Sequence, residues 1–211
     1  EKTIMSVNNQ VYNNFEYIVI DGGSTDGTVE KIKKHSDKLS LWVSEKDKGI
    51  YDAMNKGIRM SHGIWLLMLN AGDTFANDNV LNDIFAQNIP DSISVIFSDY
   101  YTRDKKGNVI KCPIDMVNKP MSFNHQNTIY RRELHNEYGM YVVTPKIIIS
   151  DVLFFYSIPK EKIFKTDTVI SFFETGGISS QGTWSEQQWL CLDVVYRKRG
   201  FWSIFPLYIW K

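Results

Sequence analysis

The stretch FEYIVIDGGSTDGT, residues 15–28, decides the fold of this chain. Tyr17 to Ile20 is β-branched and aromatic, which is typical of a buried parallel strand. The strand ends at Asp21, where Gly22 and Gly23 allow the backbone to turn without Cβ clashes. Ligands of open α/β sheets bind at the carboxyl ends of the strands. We therefore expect Asp21 to lie beside a ligand.

Strand and helix patterns alternate on either side of this stretch. The apolar residues between 50 and 58 recur at i, i+3, i+4, i+7 and i+8, which predicts an amphipathic helix. The run Ile64 to Leu69 is nearly all apolar and predicts a central strand. Further helices are predicted near residues 3–7, 29–33, 79–87, 131–135 and 184–199, strands near 39–43, 94–98 and 168–173, and a hairpin turn at 103–108. The alternation predicts an α/β fold with a mostly parallel sheet flanked by helices and a less regular second half.

Composition narrows the class of protein. With 24 basic and 24 acidic residues among 211, the chain has no net charge that would attract nucleic acid. Cys112 and Cys191 match no metal-binding spacing, which favours reduced thiols and a cytoplasmic location. The sequence contains no run of about 20 apolar residues, so no membrane-spanning helix is predicted. The 14% aromatic content fits core packing or sugar stacking.

Two segments carry a family resemblance. The segment IDGGSTDGT is similar to the VDDGSTDGT signature of family 2 glycosyltransferases, with Gly22 at the second acidic position. The segment SEKDKGIYDAMNKGI, residues 44–58, resembles the family's E-x-x-x-G-x-x-x-A-x-N pattern and is the most specific match. The resemblance extends from about residue 4 to residue 180.

The resemblance implies one GT-A-type domain over residues 1–211. Its nucleotide-binding half would cover residues 1–100 and its acceptor half residues 101–211. In the family a first strand precedes the helix predicted at residues 3–7, so we expect such a strand before Glu1.

The resemblance also implies a nucleotide-sugar site. Asp21 would accept the N3–H of a uracil-like base, Gly23 would form the turn beside it, and Asp47 and Lys48 would contact the base or the diphosphate. Gly49 precedes a helix whose N-terminus favours phosphate. The alternative interpretation is that Asp47 caps this helix and Lys48 is merely solvated.

The segment NAGD, residues 70–73, stands where the family usually carries D-x-D. Asn70 replaces the first Asp and would hydrogen-bond a ribose. Asp73 is the predicted ligand of Mn²⁺ or Mg²⁺, cations that prefer oxygen and stabilise the charge of a departing diphosphate. The alternative is that Asp73 caps a helix.

Two residues of the second half complete the predicted site. His125 in FNHQ matches an H-Q pair of the resembled subgroup and is predicted to contact the metal or the diphosphate. Asp151 in ISDVLFFYSI matches the acceptor-side Asp of the family and is predicted to be the catalytic base. The alternatives are a hydrogen-bonded structural role for His125 and helix capping for Asp151.

The implied function is inverting transfer of a sugar from a nucleoside-diphosphate sugar to a hydroxyl of a glycan or lipid-linked acceptor. The subgroup suggests bacterial surface-polysaccharide synthesis at the inner face of the cell membrane. The cations and aromatics of residues 196–211 favour peripheral membrane contact or core packing. Two other functions stay open, namely a sugar nucleotidyltransferase and, because the D-x-D is weakened, a catalytically inactive glycan-binding or scaffold protein.

Overall fold

The computed structural model describes residues 1–114 and 124–174, together with positions 188, 191, 192 and 195. The helices in these ranges are α1 Lys2–Asn8, α2 Thr28–Lys34, α3 Ile50–Met60, α4 Val80–Phe85, α5 Leu134–Tyr138 and α6 Ser150–Tyr156. The strands are β1 Ile18–Asp21, β2 Leu41–Ser44, β3 Trp65–Leu67, β4 Thr74–Phe75, β5 Val95–Phe97, β6 Tyr100–Arg103, β7 Val109–Cys112, β8 Thr128–Arg131, β9 Ile163–Lys165 and β10 Ser171–Phe172. None of these helices is long and apolar enough to cross a membrane.

The predicted elements of the first half are present. The hairpin predicted at 103–108 joins β6 to β7, which pair antiparallel. Gly107 has a φ of 86°, and the Asp104 carboxylate accepts hydrogen bonds from the backbone N–H groups of Lys106 and Asn108. The helix predicted at 184–199 lies outside the described residues except at four positions.

The strands form three sheets. β1 and β2 pair in parallel, a four-stranded sheet has the order β3-β8-β5-β9, and a second has the order β4-β10-β6-β7. Because β8 pairs antiparallel with both β3 and β5, these two strands run in the same direction. The carboxyl ends of β3 and β5 and the start of β8 therefore meet at one edge of the sheet.

The α/β class is confirmed, but the expectation of a mostly parallel sheet is corrected. Among the described strands three pairings are parallel and four are antiparallel. Two of the antiparallel pairings come from β8, a strand of the second half that inserts between β3 and β5. The other two come from the β6–β7 hairpin and the β4–β10 pair. The prediction of a central strand at 64–69 is also wrong in position, because β3 stands at the end of its sheet. Its apolar run reflects burial on both faces, since Leu66 packs in one core cluster and Trp65 in the other.

Helix α3 buries a face that differs from the predicted stripe. The buried residues are Tyr51, Met54, Asn55 and Ile58, whereas Ile50 is 40% exposed. The stripe is thus shifted by one residue at its start and includes two polar side chains. Such side chains are buried at low cost only when their hydrogen bonds are made, and the partners of both, Asp151 and Tyr141, lie in the second half of the chain.

A polar aromatic cluster fills the core beneath α5 and α6. The His135 ring stacks on Phe154 at a centroid distance of 4.4 Å. Its Nδ1 lies 2.9 Å from the Gly139 carbonyl and its Nε2 3.2 Å from the Tyr130 hydroxyl. The carbonyl can only accept, so Nδ1 carries the ring proton and Nε2 accepts from the tyrosine. Burial lowers the pKa of His135 because the core does not solvate an imidazolium.

This burial predicts a loss of stability in mild acid. The unfolded chain binds a proton at His135 near pH 6.5 while the folded chain does not, so the free energy of unfolding falls as pH drops below that value. We expect a slope of up to about 1.4 kcal/mol per pH unit. Urea denaturation between pH 5 and 7 measures it. His135→Gln should flatten the curve and His62→Gln, at an exposed histidine, should not; equal slopes in both variants would contradict the assignment.

Candidate functional site

A cavity of about 1440 Å³ opens at the strand ends and continues between β1 and β3. Its lining includes apolar residues of these strands and of α3. Six of the eight predicted site residues line it, namely Asp47, Lys48, Asn70, Asp73, His125 and Asp151. The other two, Asp21 and Gly23, lie in the turn next to Asp47.

Asp21 organises the glycine-rich turn that follows β1. Its Oδ2 accepts hydrogen bonds from the backbone N–H groups of Gly23 and Ser24, at 3.0 and 2.9 Å, and from the Ser44 hydroxyl at 2.7 Å. Burial raises the pKa of Asp21, but the bonds from Ser24 and Ser44 outweigh it and hold the pKa below its usual value. Asp21 is therefore a carboxylate that fixes the backbone of the turn and ties β1 to β2.

Gly22 leaves space for Asp47. A Cβ atom at Gly22 would overlap the carboxylate of Asp47, which lies against this backbone. A second acidic side chain at this position would meet the same carboxylate, and like charges at such a distance repel. The departure of IDGGS from the family's VDDGS thus has a local physical reason.

The loop before α3 is held by its own carboxylates. Asp47 Oδ1 accepts from the Gly49 N–H at 2.9 Å, and Asp52 Oδ2 accepts from the Lys48 N–H at 3.0 Å. Gly49 has a φ of 114°, a conformation that L side chains rarely adopt, and it is the N-cap of the helix. Lys48 is exposed at the cavity, so its ammonium group is available to a ligand.

The NAGD turn places Asp73 in a buried position. Asp73 is 4% exposed, and its Oδ1 accepts from the Glu174 N–H at 2.9 Å. Burial raises its pKa, although the hydrogen bonds from Glu174 and Gln126 act in the opposite direction. A nearby cation would favour the ionised carboxylate. The residue is therefore suited to charge neutralisation by a metal.

Asp73 fits a divalent cation in part. Its carboxylate supplies the hard oxygen that Mn²⁺ and Mg²⁺ prefer. Within residues 1–114 and 124–174, however, no three His, Cys, Asp or Glu side chains stand close enough to enclose an ion. A cation held here would need oxygens of the diphosphate to complete its coordination.

His125 and Asp151 form a buried pair. His125 Nδ1 lies 2.6 Å from Asp151 Oδ2, and each side chain is 9% exposed. On the other side of the ring, the amide nitrogen of Asn70 lies 3.1 Å from Nε2. An amide nitrogen only donates, so Nε2 accepts and the ring proton lies on Nδ1, facing Asp151. His125 thereby links the NAGD turn to the start of α6.

The Asp151 carboxylate has a partner on each oxygen. Its Oδ1 accepts from the Tyr51 hydroxyl at 2.7 Å, while Oδ2 faces His125. Burial raises the pKa of Asp151, but His125 and Tyr51 together hold it below its usual value. Asp151 is therefore ionised at neutral pH and can accept a proton.

Two contacts of the site were not predicted from the sequence. Tyr51 contacts Asp151, and the backbone of Glu174 contacts Asp73. Tyr51 lies within the strongly matching segment 44–58, but its aromatic ring is equally typical of a core position. Glu174 follows the predicted strand 168–173, and the position after a strand end was the available signal.

The α/β fold, with carboxylates collected at its strand ends, defines a GT-A-type glycosyltransferase. The chain belongs to glycosyl transferase family 2, whose model matches residues 1–153. It is 26% identical over 187 residues to a PGL/p-HBAD biosynthesis glycosyltransferase of Mycobacterium bovis (strain BCG / Pasteur 1173P2), which covers 83% of this chain and 72% of the relative. It is also 40% identical over 82 residues to an uncharacterized glycosyltransferase of Mycobacterium tuberculosis. That alignment covers 38% of this chain and 31% of that protein.

Solved structures share the fold. The crystal structure of S. aureus TarS 1-349 in complex with UDP superposes with a TM-score of 0.70 at 18% identity, over 92% of this chain and 60% of that chain. The mannosyltransferase PcManGT from Pyrobaculum calidifontis, in complex with GDP-Man and Mn²⁺, gives a TM-score of 0.70 at 14% identity. The match covers 94% of this chain and 60% of that chain. This chain therefore spans about 60% of the length of these two solved chains.

The Gly22–Asp47 contact predicts the effect of a single methyl group. Gly22→Ala should turn the Asp47 carboxylate away, because φ at Gly22 lies outside the left-handed region and the backbone accepts alanine. We expect weaker binding of UDP or GDP, comparable to Asp47→Ala, measured by calorimetry. Gly57→Ala is the matched control, since its Cβ would lie at an ordinary 3.7 Å from Ile20. Unchanged affinity in Gly22→Ala would contradict a role of Asp47 in nucleotide binding.

Proposed function

We propose that this chain catalyses inverting transfer of a sugar from a nucleoside-diphosphate sugar to a hydroxyl of a glycan or lipid-linked acceptor. The observation that carries the proposal is that Asp73 and the His125–Asp151 pair line the same cavity. Leaving-group stabilisation and acceptor deprotonation need two separate groups facing one ligand. The cavity supplies a carboxylate for each.

On the donor side, the glycine-rich turn after Asp21 and the Asp47–Lys48 loop bind the base and the diphosphate. The ammonium group of Lys48 offsets phosphate charge. Asp73 would hold Mn²⁺ or Mg²⁺, which supplies a positive charge to the departing diphosphate. The support comes from structural neighbours with UDP, UDP-GlcNAc, or GDP-Man with Mn²⁺.

On the acceptor side, Asp151 removes the proton of the attacking hydroxyl. A carboxylate with a low pKa is a weak base, but the hydroxyl becomes acidic as its oxygen bonds to the sugar carbon. The proton then passes to Asp151, with His125 and Tyr51 holding the carboxylate in place. A carboxylate has about four lone-pair sites, so Tyr51, His125 and the Val152 backbone N–H leave room for the substrate.

The biological setting is proposed from the subgroup resemblance and the curated relative in PGL/p-HBAD biosynthesis. We propose a role in bacterial cell-surface polysaccharide or glycolipid synthesis, with the acceptor presented at the inner face of the cell membrane. The protein would then be cytoplasmic, with peripheral membrane contact. Membership of family 2 favours transfer over the nucleotidyltransferase alternative. The catalytically inactive alternative is tested by the experiments below.

The donor site predicts metal-assisted nucleotide binding. UDP, GDP, UDP-GlcNAc and GDP-mannose are compared by thermal shift, each with and without Mn²⁺. A ligand at 100 times its dissociation constant stabilises by roughly 2.7 kcal/mol. We expect the cation to increase the shift, and Asp73→Asn to abolish only that increase.

Metal binding without nucleotide should be weak, because Asp73 is the single charged ligand proposed. Asn70→Asp should raise Mn²⁺ affinity in calorimetry, whereas Asn79→Asp, an exposed position outside the cavity, should not. Tight Mn²⁺ binding by the free wild-type protein would contradict this prediction.

The base assignment predicts the effect of Asp151→Asn. The amide keeps the size of the side chain but does not accept the proton, so transfer should fall by about 10²- to 10⁴-fold. The assay measures nucleoside-diphosphate release with an alkyl glycoside panel or water as acceptor. Nucleotide affinity should stay nearly unchanged. Asp78→Asn, exposed and outside the cavity, is the control; full activity of Asp151→Asn would disprove the assignment.

A further inference from the structure

Tyr51 connects the nucleotide half to the proposed base. It lies in the first turn of α3, 7% exposed, and its hydroxyl donates to Asp151 Oδ1 at 2.7 Å across 100 residues of sequence. The Ile148 carbonyl oxygen lies 3.0 Å from the same hydroxyl. Because the hydroxyl has one proton, the shorter contact to the charged acceptor is the stronger bond.

A second set of bonds fixes α3 to the segment before α6. The Asn55 amide pairs with the backbone of Tyr141 in both directions, donating to its carbonyl at 2.8 Å and accepting from its N–H at 3.0 Å. The next residue, Val142, donates its N–H to the Ser150 hydroxyl at 2.6 Å. Helix α3 and the start of α6 are therefore held in one register, with Tyr51 bridging them directly.

We propose that Tyr51 is a positioning residue that fixes the Asp151 carboxylate and links its orientation to the loop that binds the donor. The proposal rests on the proposed role of Asp151. With Tyr51 on one oxygen and His125 on the other, the carboxylate cannot rotate without losing a hydrogen bond. Its free lone pairs thus keep a fixed direction toward the cavity. Helix α3 begins directly after Asp47 and Lys48, so one rigid element carries both the donor loop and this hydroxyl.

The competing explanation is that Tyr51 is only a core residue. Its ring packs against that of Tyr141, with centroids 5.7 Å apart. In that case Tyr51→Phe, which keeps the ring, should leave kcat nearly unchanged. The two explanations therefore differ in what the loss of one hydroxyl does to the chemical step.

The test compares Tyr51→Phe with Tyr141→Phe in the full chain. The second variant also removes a buried hydroxyl from the same cluster, but that hydroxyl lies 2.9 Å from the Tyr130 hydroxyl. The probe is UDP-GlcNAc or GDP-mannose, whichever stabilises the wild type more, with nucleoside-diphosphate release as the readout. We expect kcat to fall between about 10- and 100-fold in Tyr51→Phe, with KM for the donor nearly unchanged. Tyr141→Phe should keep kcat near the wild-type value.

A pH profile gives a readout that a structural role would not move. The groups facing Asp151 are His125 and Tyr51, which contact it, and the hydroxyls of Tyr130 and Tyr141 farther away. Loss of the Tyr51 bond should raise the pKa of Asp151, because a donor that stabilises the carboxylate is gone. The acidic limb of kcat/KM should therefore move to higher pH in Tyr51→Phe.

The outcomes distinguish a failure of the Tyr51 proposal from a failure of the Asp151 base assignment on which it rests. An inactive Asp151→Asn with wild-type kcat and an unmoved acidic limb in Tyr51→Phe would overturn the role of Tyr51 alone. A fully active Asp151→Asn would overturn the base assignment and the positioning role with it. If Tyr51→Phe lowers the melting temperature, the Tyr141→Phe variant distinguishes the positioning role from a packing role. An equal loss of kcat in both variants would assign the effect to packing.

Discussion

The burial of the Asp151 carboxylate is the constraint on which the arrangement of the site depends. A buried ion costs several kcal/mol unless partners replace its water. Its partners are His125, 26 residues earlier, and Tyr51, 100 residues earlier. Both bonds are made only if α3, the turn before β8 and the start of α6 meet at one point. These contacts therefore join the first half of the chain to the second half.

The two lost acidic positions follow the same electrostatic logic. Gly22 leaves room for the Asp47 carboxylate, and Asn70 donates to the ring of His125. A carboxylate at either position would add a negative charge beside one already present or would compete for the imidazole proton. The Asn70 amide therefore adds no negative charge beside the His125–Asp151 pair, and the pKa of Asp151 stays low. In the proposed donor site Asp73 is the single metal carboxylate, and oxygens of a bound diphosphate would complete the coordination of the cation.

Six of the eight predicted site residues line the cavity, and those of the first half stand next to glycine turns, strand ends or helix starts in the sequence. Asp47 precedes a glycine and a helix, and Asp73 ends a turn after an apolar strand. Tyr51 has no such marker, since an aromatic residue on a helix is usually core. The predicted stripe on α3 began at Ile50, because periodicity counts apolar residues and cannot recognise a polar residue that is buried with its partners.

The sequence by itself determined the α/β class, the approximate positions of most elements and the loops that carry Asp21, Asp47, Lys48 and Asp73. These features depend on local periodicity, glycine turns and strand ends, each of which is set by a few neighbouring residues. Only the tertiary structure decided that β8 enters the sheet antiparallel between β3 and β5, and that His125 and Tyr51 close on Asp151. The reason is that such contacts are selected by packing and by the cost of an unpaired buried charge, and both depend on segments far apart in sequence.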